Sequence, residues 1–149
     1  MRKLRRSLRR DDRGSAAVEF AAVAMPLMIM MFGVVEYGRL MWAQEALQQV
    51  AAATARCMAM TSTSCASAGA YSSSNTQSYV ISQAQALGLT LTNANITLNN
   101  DTVCAGVTWP SAGFSTVTLT YSFSSIAPSL LHALNGGVNL SATSCYPNY

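Results

Sequence analysis

The sequence predicts an α+β protein in which one long N-terminal helix packs on a small antiparallel sheet. Residues 20–35 form an uncharged apolar run. From residue 40 to residue 57, apolar side chains recur at alternating spacings of three and four, the period of a helix with one buried face. Beyond residue 88 the pattern becomes the alternation typical of strands, most clearly over residues 114–123.

The first half of the long helix is apolar enough to span a membrane. With residues 15–18 before the run and 37–38 after it, the segment reaches about 20 residues, the length that crosses the hydrocarbon core. We therefore predict a transmembrane helix at residues 15–38. The alternative is a cleavable secretory signal, because Ala22-Val23-Ala24 offers small residues at the spacing of a cleavage site. Such a cut leaves too short an apolar region before it.

The second half of the helix is predicted to be amphipathic and to continue outside the membrane over residues 39–60. Its polar side chains, such as Glu45, lie largely away from the apolar face. Glu36 and Arg39 are three residues apart and are predicted to form an exposed pair at the end of the membrane segment. The apolar face consists of Leu40, Ala43, Leu47, Val50, Thr54 and Cys57.

Residues 61–149 are predicted to form a small disulfide-bonded α+β domain outside the membrane. It begins with a polar loop, and a short helix follows, with Asn75 as a candidate cap and Gly88 at its end. The clearest strand turns one face towards the core and a hydroxyl-lined face towards water. The predicted elements are a loop at 61–75, helices at 76–87 and 126–134, and strands at 95–98, 103–109, 114–123 and 138–143.

Positive charge is concentrated in a leader predicted to cover residues 1–14. Seven of the nine basic residues lie there, and with Asp11 and Asp12 the leader carries +5, whereas the rest of the chain carries −2. A cationic segment before an apolar run marks the cytoplasmic end of a membrane helix. We therefore interpret the leader as a topology signal and predict no nucleic-acid partner.

The four cysteines, Cys57, Cys65, Cys104 and Cys145, all lie downstream of the apolar segment. If that segment exports the downstream part of the chain, they lie in an oxidising compartment and are expected to pair. Three connectivities are possible. We favour Cys57–Cys65, a short local loop, and Cys104–Cys145, a link from a strand to the C-terminal end; free buried thiols are the alternative.

No combination of residues indicates catalysis, a metal site or a cofactor. His132 is the only histidine and no CxxC is present, so the ligands of a zinc site are lacking. No lysine follows Lys3, and Asp101 is the only aspartate beyond the leader, which leaves too few acids, bases and nucleophiles for a catalytic set. We predict a protein that is not an enzyme and holds no metal or cofactor.

A lone carboxylate, Glu19, lies just inside the apolar helix, five residues after Gly14 closes the cationic leader. This arrangement suggests that the leader is cut after Gly14, which makes Ser15 the new N-terminus. A charged side chain at the centre of a bilayer costs about 2.5–3.5 kcal/mol on insertion scales, and less near the interface. A carboxylate kept at such a position calls for a partner, and an ammonium group from an adjoining helix would offset much of the cost.

Three segments resemble the TadE-like family of pilus-assembly proteins, which are pseudopilins of tight-adherence (Flp-type) pili. The most specific segment is GSAAVEF at residues 14–20, followed by the apolar run and by GVVEYGRLMWAQEAL at residues 33–47. The others are the early pair Cys57 and Cys65 and the closing LSATSCYP at residues 140–147.

The resemblance implies a pilin-like architecture and a defined maturation step. A prepilin peptidase would cut on the cytoplasmic face between Gly14 and Ser15, which makes Glu19 the fifth residue of the mature chain. In pilins such a glutamate meets the free N-terminal amine of a neighbouring subunit during assembly. Phe20 fits the aromatic residue that follows this glutamate in the family.

The resemblance also implies partners and a location. The partners are the prepilin peptidase, other pilin or pseudopilin subunits, the inner-membrane pilus assembly platform and membrane lipid. The chain would cross the bacterial inner membrane once, with a cytoplasmic N-terminus and a periplasmic domain, and the family leaves open whether it enters a surface pilus. Major pilins of this system are little more than the helix, so a full domain argues for a minor subunit or an assembly factor.

The alternative function is an uncleaved bitopic membrane protein with an extracytoplasmic binding or adhesion domain. Aromatic side chains offer a contact patch for this function, although core packing is the expected role of most of them. These side chains are Tyr71, Tyr79, Trp109, Tyr121 and Tyr146.

Overall fold

The computed structural model describes residues 13–104, 113–126 and 137–148. The chain divides into two compact units, Met1–Tyr37 and Gly38–Tyr149. The first helix, α1 (Arg13–Ala59), has residues in both units. The predicted α+β class, with a long apolar N-terminal helix and a small antiparallel sheet, is confirmed.

Within the second unit, α1 buries a broad face. All the residues predicted for its apolar face are buried or half-buried, and Leu47 is 0% exposed. The buried face is wider than predicted and includes Ala51 and Met58, because both the sheet and another helix contribute side chains to the same core. The hydroxyl of buried Thr54 donates to the Val50 carbonyl at 2.7 Å, so this polar group is satisfied inside the helix.

The C-terminus of α1 is closed by a left-handed residue. Thr61 has a φ of +43°, its N–H donates to the Met58 carbonyl at 3.1 Å, and the Ser62 N–H donates to the Cys57 carbonyl at 3.2 Å. This pair of bonds is the Schellman pattern, which satisfies the last carbonyls of a helix. A disulfide between Cys57 and Cys65 spans the same turn.

A small hairpin, not predicted from the sequence, follows this turn. Strand β1 (Ala66–Ser67) pairs antiparallel with β2 (Ala70–Tyr71). The two residues between them, Ala68 and Gly69, both have positive φ, at +52° and +80°. Positive φ at both central residues is the type I′ turn, which matches the twist of two-residue hairpins. The hairpin lies in the stretch predicted as a polar loop.

Helix α2 (Ser73–Ala86) begins three residues earlier than predicted, and the predicted cap is wrong. Ser72 is the N-cap and accepts from the Asn75 N–H at 3.5 Å, whereas the Asn75 amide donates to the Ala66 carbonyl at 2.8 Å. A serine at this position can satisfy the first-turn N–H groups, and the asparagine is then free to tie the helix to β1. The last helical residue is Ala86, and Gly88 closes the helix end, as predicted, in the left-handed conformation with φ +74°.

The main sheet has three antiparallel strands in the order β3–β4–β5. They are β3 (Ile96–Thr102), which follows a 3₁₀ turn at Asn93–Asn95, β4 (Phe114–Phe123) and β5 (Val138–Pro147). The register of β4 and β5 runs without a break from Phe114 opposite Pro147 to Phe123 opposite Val138. The bounds predicted for β4 are correct, whereas β3 and β5 are each longer than predicted.

The two faces of β4 differ as the alternation predicts. Val117, Leu119 and Phe123 are buried in the core, while the hydroxyls of Thr116, Thr118, Thr120 and Ser122 lie on the other face. There the Thr118 hydroxyl lies 3.0 Å from that of Thr143, and the Ser122 hydroxyl donates to the Asn139 side-chain oxygen at 2.8 Å. Each cross-strand polar pair of this kind stabilises the folded sheet by about 0.2–1 kcal/mol.

The core joins α1, α2 and the sheet within the second unit. Burying each large aliphatic side chain contributes about 1.5–3 kcal/mol, so this cluster supplies most of the stability of the unit. Its larger members are Leu47, Val50, Met58, Val80, Leu89, Leu91, Ile96, Val117, Leu119, Phe123 and Leu140.

Two predicted elements lie largely outside the described residues. Of the strand predicted at residues 103–109, Val103 and Cys104 are described and belong to no strand, because β3 ends at Thr102. Of the helix predicted at residues 126–134, only Ile126 is described, in a bend. His132 and Trp109 are also outside the described residues.

Candidate functional site

The residues predicted for processing lie in the first turns of α1. Gly14, Ser15 and Glu19 are all exposed. The Ser15 hydroxyl donates to a Glu19 carboxylate oxygen at 3.3 Å, one helical turn away. A Cβ added at Gly14 would meet no atom within 4 Å, so packing does not require a glycine there.

Glu19 opens a helix surface that is otherwise apolar. Its neighbour Phe20 is 75% exposed, so the aromatic ring is not buried by the part of the chain that the structure describes. A carboxylate in the first turns of a helix also interacts favourably with the helix dipole, by about 0.3–1 kcal/mol at an exposed site. That interaction explains a carboxylate near the helix start but not the apolar side chains around it.

The helix surface beyond Glu19 is apolar and exposed on every side. By length and composition α1 is able to cross a membrane, and its most apolar part is not buried within the chain. An exposed apolar surface of this extent requires another apolar environment. Its large side chains are Val18, Phe20, Val23, Met25, Leu27, Met28, Ile29, Met30, Met31, Phe32, Val34, Val35 and Tyr37.

The prediction of an exposed Glu36–Arg39 pair is wrong for the carboxylate. Glu36 is 4% exposed, whereas Arg39 is exposed and its guanidinium lies 5.4 Å from the centroid of the Phe123 ring. The physical reason is helical spacing, since Glu36 precedes Leu40 by four residues and therefore continues the buried stripe of α1. The arginine lies outside that stripe and contacts an aromatic face.

The structure contains two disulfides. Cys57 is joined to Cys65, eight residues away, and Cys104 is joined to Cys145, 41 residues away. The first connects the end of α1 to β1, and the second connects the residues after β3 to β5. The first therefore closes a local turn, whereas the second links two segments that are far apart in sequence.

A cleft with mixed polar and apolar lining lies beside the first disulfide. Its volume is about 450 Å³, and it is open to solvent. It combines one cation, Arg56, with serine hydroxyls and the ring of Tyr79. The lining residues are Ala53, Arg56, Cys57, Met60, Ser62, Ser64 and Tyr79.

Of the aromatic residues predicted as a candidate contact patch, those that the structure describes do not form an exposed patch. Three of them are half-buried and pack against the core, which is the alternative given for them above: Tyr71, Tyr121 and Tyr146. Within residues 13–104, 113–126 and 137–148, no three histidine, cysteine, aspartate or glutamate side chains come together as metal ligands.

Comparison with protein families matches residues 14–56 to the TadE-like protein family. Residues 14–56 are a TadE-like segment. The resemblance predicted from the sequence is thereby confirmed, and the segment implies a pilus-related membrane protein with an apolar N-terminal helix. It begins at Gly14, the residue that closes the cationic leader, and it includes Glu19. No curated protein and no solved structure matches the chain.

One surface feature of the TadE-like segment was not predicted. Met41 and Trp42 lie in the amphipathic half of α1, yet both are exposed. The sequence signal was present, because neither residue falls on the apolar stripe that contains Leu40 and Ala43. An exposed tryptophan beside the buried stripe of a helix is uncommon enough to suggest a contact.

Proposed function

We propose that the chain is a minor pseudopilin of a tight-adherence pilus, processed by a prepilin peptidase after Gly14. The observation that carries the proposal is the TadE-like match, which starts at Gly14 and places Glu19 five residues later, before an exposed apolar helix. The peptidase requires access to the Gly14–Ser15 bond, and both residues are exposed. The function is structural, and no catalytic role is assigned to any residue.

The proposed role of Glu19 is to pair with the N-terminal amine of a neighbouring subunit. Cleavage would create that amine at Ser15, one helical turn from the carboxylate. Within lipid the two opposite charges stabilise each other, and their attraction favours one axial register between packed helices. Phe20 and the apolar side chains beyond it would supply the surrounding helix-to-helix contacts.

The size of the second unit supports a minor subunit or assembly factor. Its core and disulfides make it a domain in its own right, displayed on the periplasmic side of the inner membrane in this proposal. The expected partners are the prepilin peptidase, other pilin or pseudopilin subunits, the inner-membrane assembly platform and lipid. Orientation follows from the cationic leader, which keeps the N-terminus cytoplasmic.

The first test is the N-terminus of the protein purified from its native membrane. Intact mass and peptide sequencing are expected to show a chain that begins at Ser15 and is lighter than the full chain by about 1.8 kDa. Gly14→Val is the matched variant, because a Cβ added at this position meets no atom within 4 Å. It is expected to retain the leader while the second unit folds normally. A wild-type chain that keeps its leader contradicts the proposed processing.

The role of the carboxylate is tested separately with Glu19→Gln. The amide has the same shape but no charge, so we expect processing to continue and incorporation with other subunits to fall. Glu45→Gln is the control, since Glu45 is an exposed carboxylate on the same helix within the second unit. If Glu19→Gln leaves piliation and co-purification of pilin subunits unchanged, the assembly role of Glu19 is wrong.

A second candidate is an uncleaved bitopic protein whose extracytoplasmic domain binds a ligand or surface. The cleft beside Cys57 favours this function, because it combines Arg56 with hydroxyls and an aromatic ring. In that case the leader would remain on the mature protein. An Arg56→Gln variant would lose adhesion without any change in subunit assembly.

A further inference from the structure

The exposed surface of α1 changes from apolar to polar within the second unit. Met41 and Trp42 are 42% and 55% exposed. The next exposed residues along the helix are Glu45, Gln48 and Gln49. The boundary between apolar and polar surface on this helix therefore falls between residues 42 and 45.

Trp42 is held in place at this boundary. A Cβ built at Gly88 would lie 3.7 Å from the Cη2 atom of the indole, so the ring lies across the turn that ends α2. More than half of the side chain nevertheless remains exposed. A tryptophan combines an apolar ring with an N–H donor, and such residues concentrate at the level of lipid headgroups.

Residue counts place the same boundary at the outer edge of a bilayer. The apolar segment at residues 15–38 has about the 20 residues that cross the hydrocarbon core, so the outer headgroup layer is expected to begin near residue 38, one helical turn before Trp42. The exposed side chains of Tyr37 and Met41 extend the apolar surface beyond the uncharged run at residues 20–35. Glu36 interrupts the segment in sequence but not on the surface, because it is buried.

Between residue 20 and the boundary, the only charge besides Glu36 is Arg39, and it is compatible with a headgroup layer. Arg39 is exposed, and its guanidinium contacts the face of Phe123. A long cationic side chain can keep its aliphatic stem in an apolar layer while its head reaches phosphate groups. No exposed carboxylate lies between residue 20 and residue 44, and all of these residues are described.

We propose that Met41 and Trp42, with the Gly88 turn against the indole, form a membrane-interface contact in the outer headgroup layer. The occupant of this surface is lipid, because no exposed carboxylate interrupts the exposed apolar side chains of α1 between residue 20 and Trp42, and the one exposed cation there, Arg39, lies against an aromatic ring. The contact fixes how deeply α1 is inserted and brings the end of α2 to the membrane surface. It rests on the proposed function only through membrane insertion of α1.

The test uses Trp42 as its own probe of depth. The full chain carrying Trp109→Phe has Trp42 as its single tryptophan and is reconstituted in vesicles of phosphatidylcholine and phosphatidylglycerol. Bromine atoms are placed on the lipid either close to the headgroup or near the end of the acyl chain. We expect quenching by the shallow bromines to exceed quenching by the deep bromines at least about twofold, as for an interfacial indole.

The matched control moves the probe along the same helix. Gln49→Trp, combined with Trp42→Phe and Trp109→Phe, places the indole at an exposed position two turns beyond the boundary. We expect little quenching there by either lipid. Retention in the membrane after a carbonate wash is measured on every sample.

The outcomes separate this proposal from the proposed function. A chain that is retained but shows no quenching of Trp42 has its indole covered by protein, such as a second copy, and this overturns the interface contact alone. Stronger quenching by the deep bromines also overturns it, because the boundary then lies beyond Trp42. A chain removed by the wash is not inserted, which overturns both this proposal and the membrane part of the proposed function.

Discussion

The two helices of the second unit end in the same hydrogen-bond pattern but use different residues at the left-handed position. At the end of α2, the Gly88 N–H donates to the Gln85 carbonyl at 2.9 Å, and the Leu89 N–H donates to the Ala84 carbonyl at 2.8 Å. At the end of α1, the left-handed position is occupied by Thr61. A β-branched residue with positive φ is a genuine outlier, whereas glycine adopts this conformation without steric cost.

This difference predicts opposite effects of two substitutions. Thr61→Gly removes the cost of a left-handed conformation at a residue with a Cβ, which is about 1–2 kcal/mol. Glycine also increases the entropy of the unfolded chain, which offsets part of this gain. The free energy of unfolding should therefore rise by about 0.5–1 kcal/mol. Gly88→Ala should lower it by about 1 kcal/mol, since the new Cβ contacts Trp42 only at an ordinary distance and the cost is conformational. Denaturant unfolding of the full chain in detergent measures both. A loss of stability in Thr61→Gly would contradict the account.

At the scale of elements, the second half of α1 is held by its buried stripe. Leu47 is 0% exposed and belongs to the core that α1 shares with α2 and the sheet. Leu47→Ala should therefore cost about 2–5 kcal/mol, through lost burial and the cavity left behind. Gln48→Ala, next to it but exposed, should change stability by less than about 0.5 kcal/mol. Equal effects of the two variants would show that α1 does not pack as described.

The elements predictable from the sequence are those with a long periodic pattern. α1 was predicted from its uncharged apolar run at residues 20–35 and the helical period of residues 40–57, and β4 was predicted from ten residues of alternation. The full length of β5 was not predicted. Its last residues adopt strand structure because they pair with the start of β4, as in Phe114 opposite Pro147. That pairing joins residues 33 positions apart and leaves no local signal.

Short elements made of small residues were also missed. The hairpin of β1 and β2 contains two residues in each strand, and its turn uses Ala68 where asparagine is the usual signal. The cap of α2 was assigned to Asn75 because serine and asparagine are both good caps, and the sequence offers several in succession. Burial of Glu36 was not predicted because a charged side chain usually indicates an exposed position, whereas this residue lies on the buried stripe of α1.

At the scale of the whole molecule, the chain has two units that require different surroundings. Met1–Tyr37 has an apolar helix surface that requires lipid or another helix, while Gly38–Tyr149 buries its own core and carries two disulfides. The candidate site at Gly14, Ser15 and Glu19 could be proposed from the sequence because it depends on order along the chain, and its processing stays a prediction. The exposed Trp42 was not recognised, because its significance depends on which surface the fold leaves uncovered.

The different surroundings that the two units require lead to a prediction about compartment. If the second unit is periplasmic, Cys57, Cys65, Cys104 and Cys145 are oxidised during export, because the periplasm sustains disulfides and the cytoplasm does not. Protein solubilised in denaturant from native membranes should therefore take up no maleimide before reduction and four after it, counted by mass. A chain whose apolar segment is interrupted by two added arginines should remain on the cytoplasmic side and react fully without reduction. Labelling of the wild-type chain before reduction would place the second unit in a reducing compartment and contradict the proposed orientation.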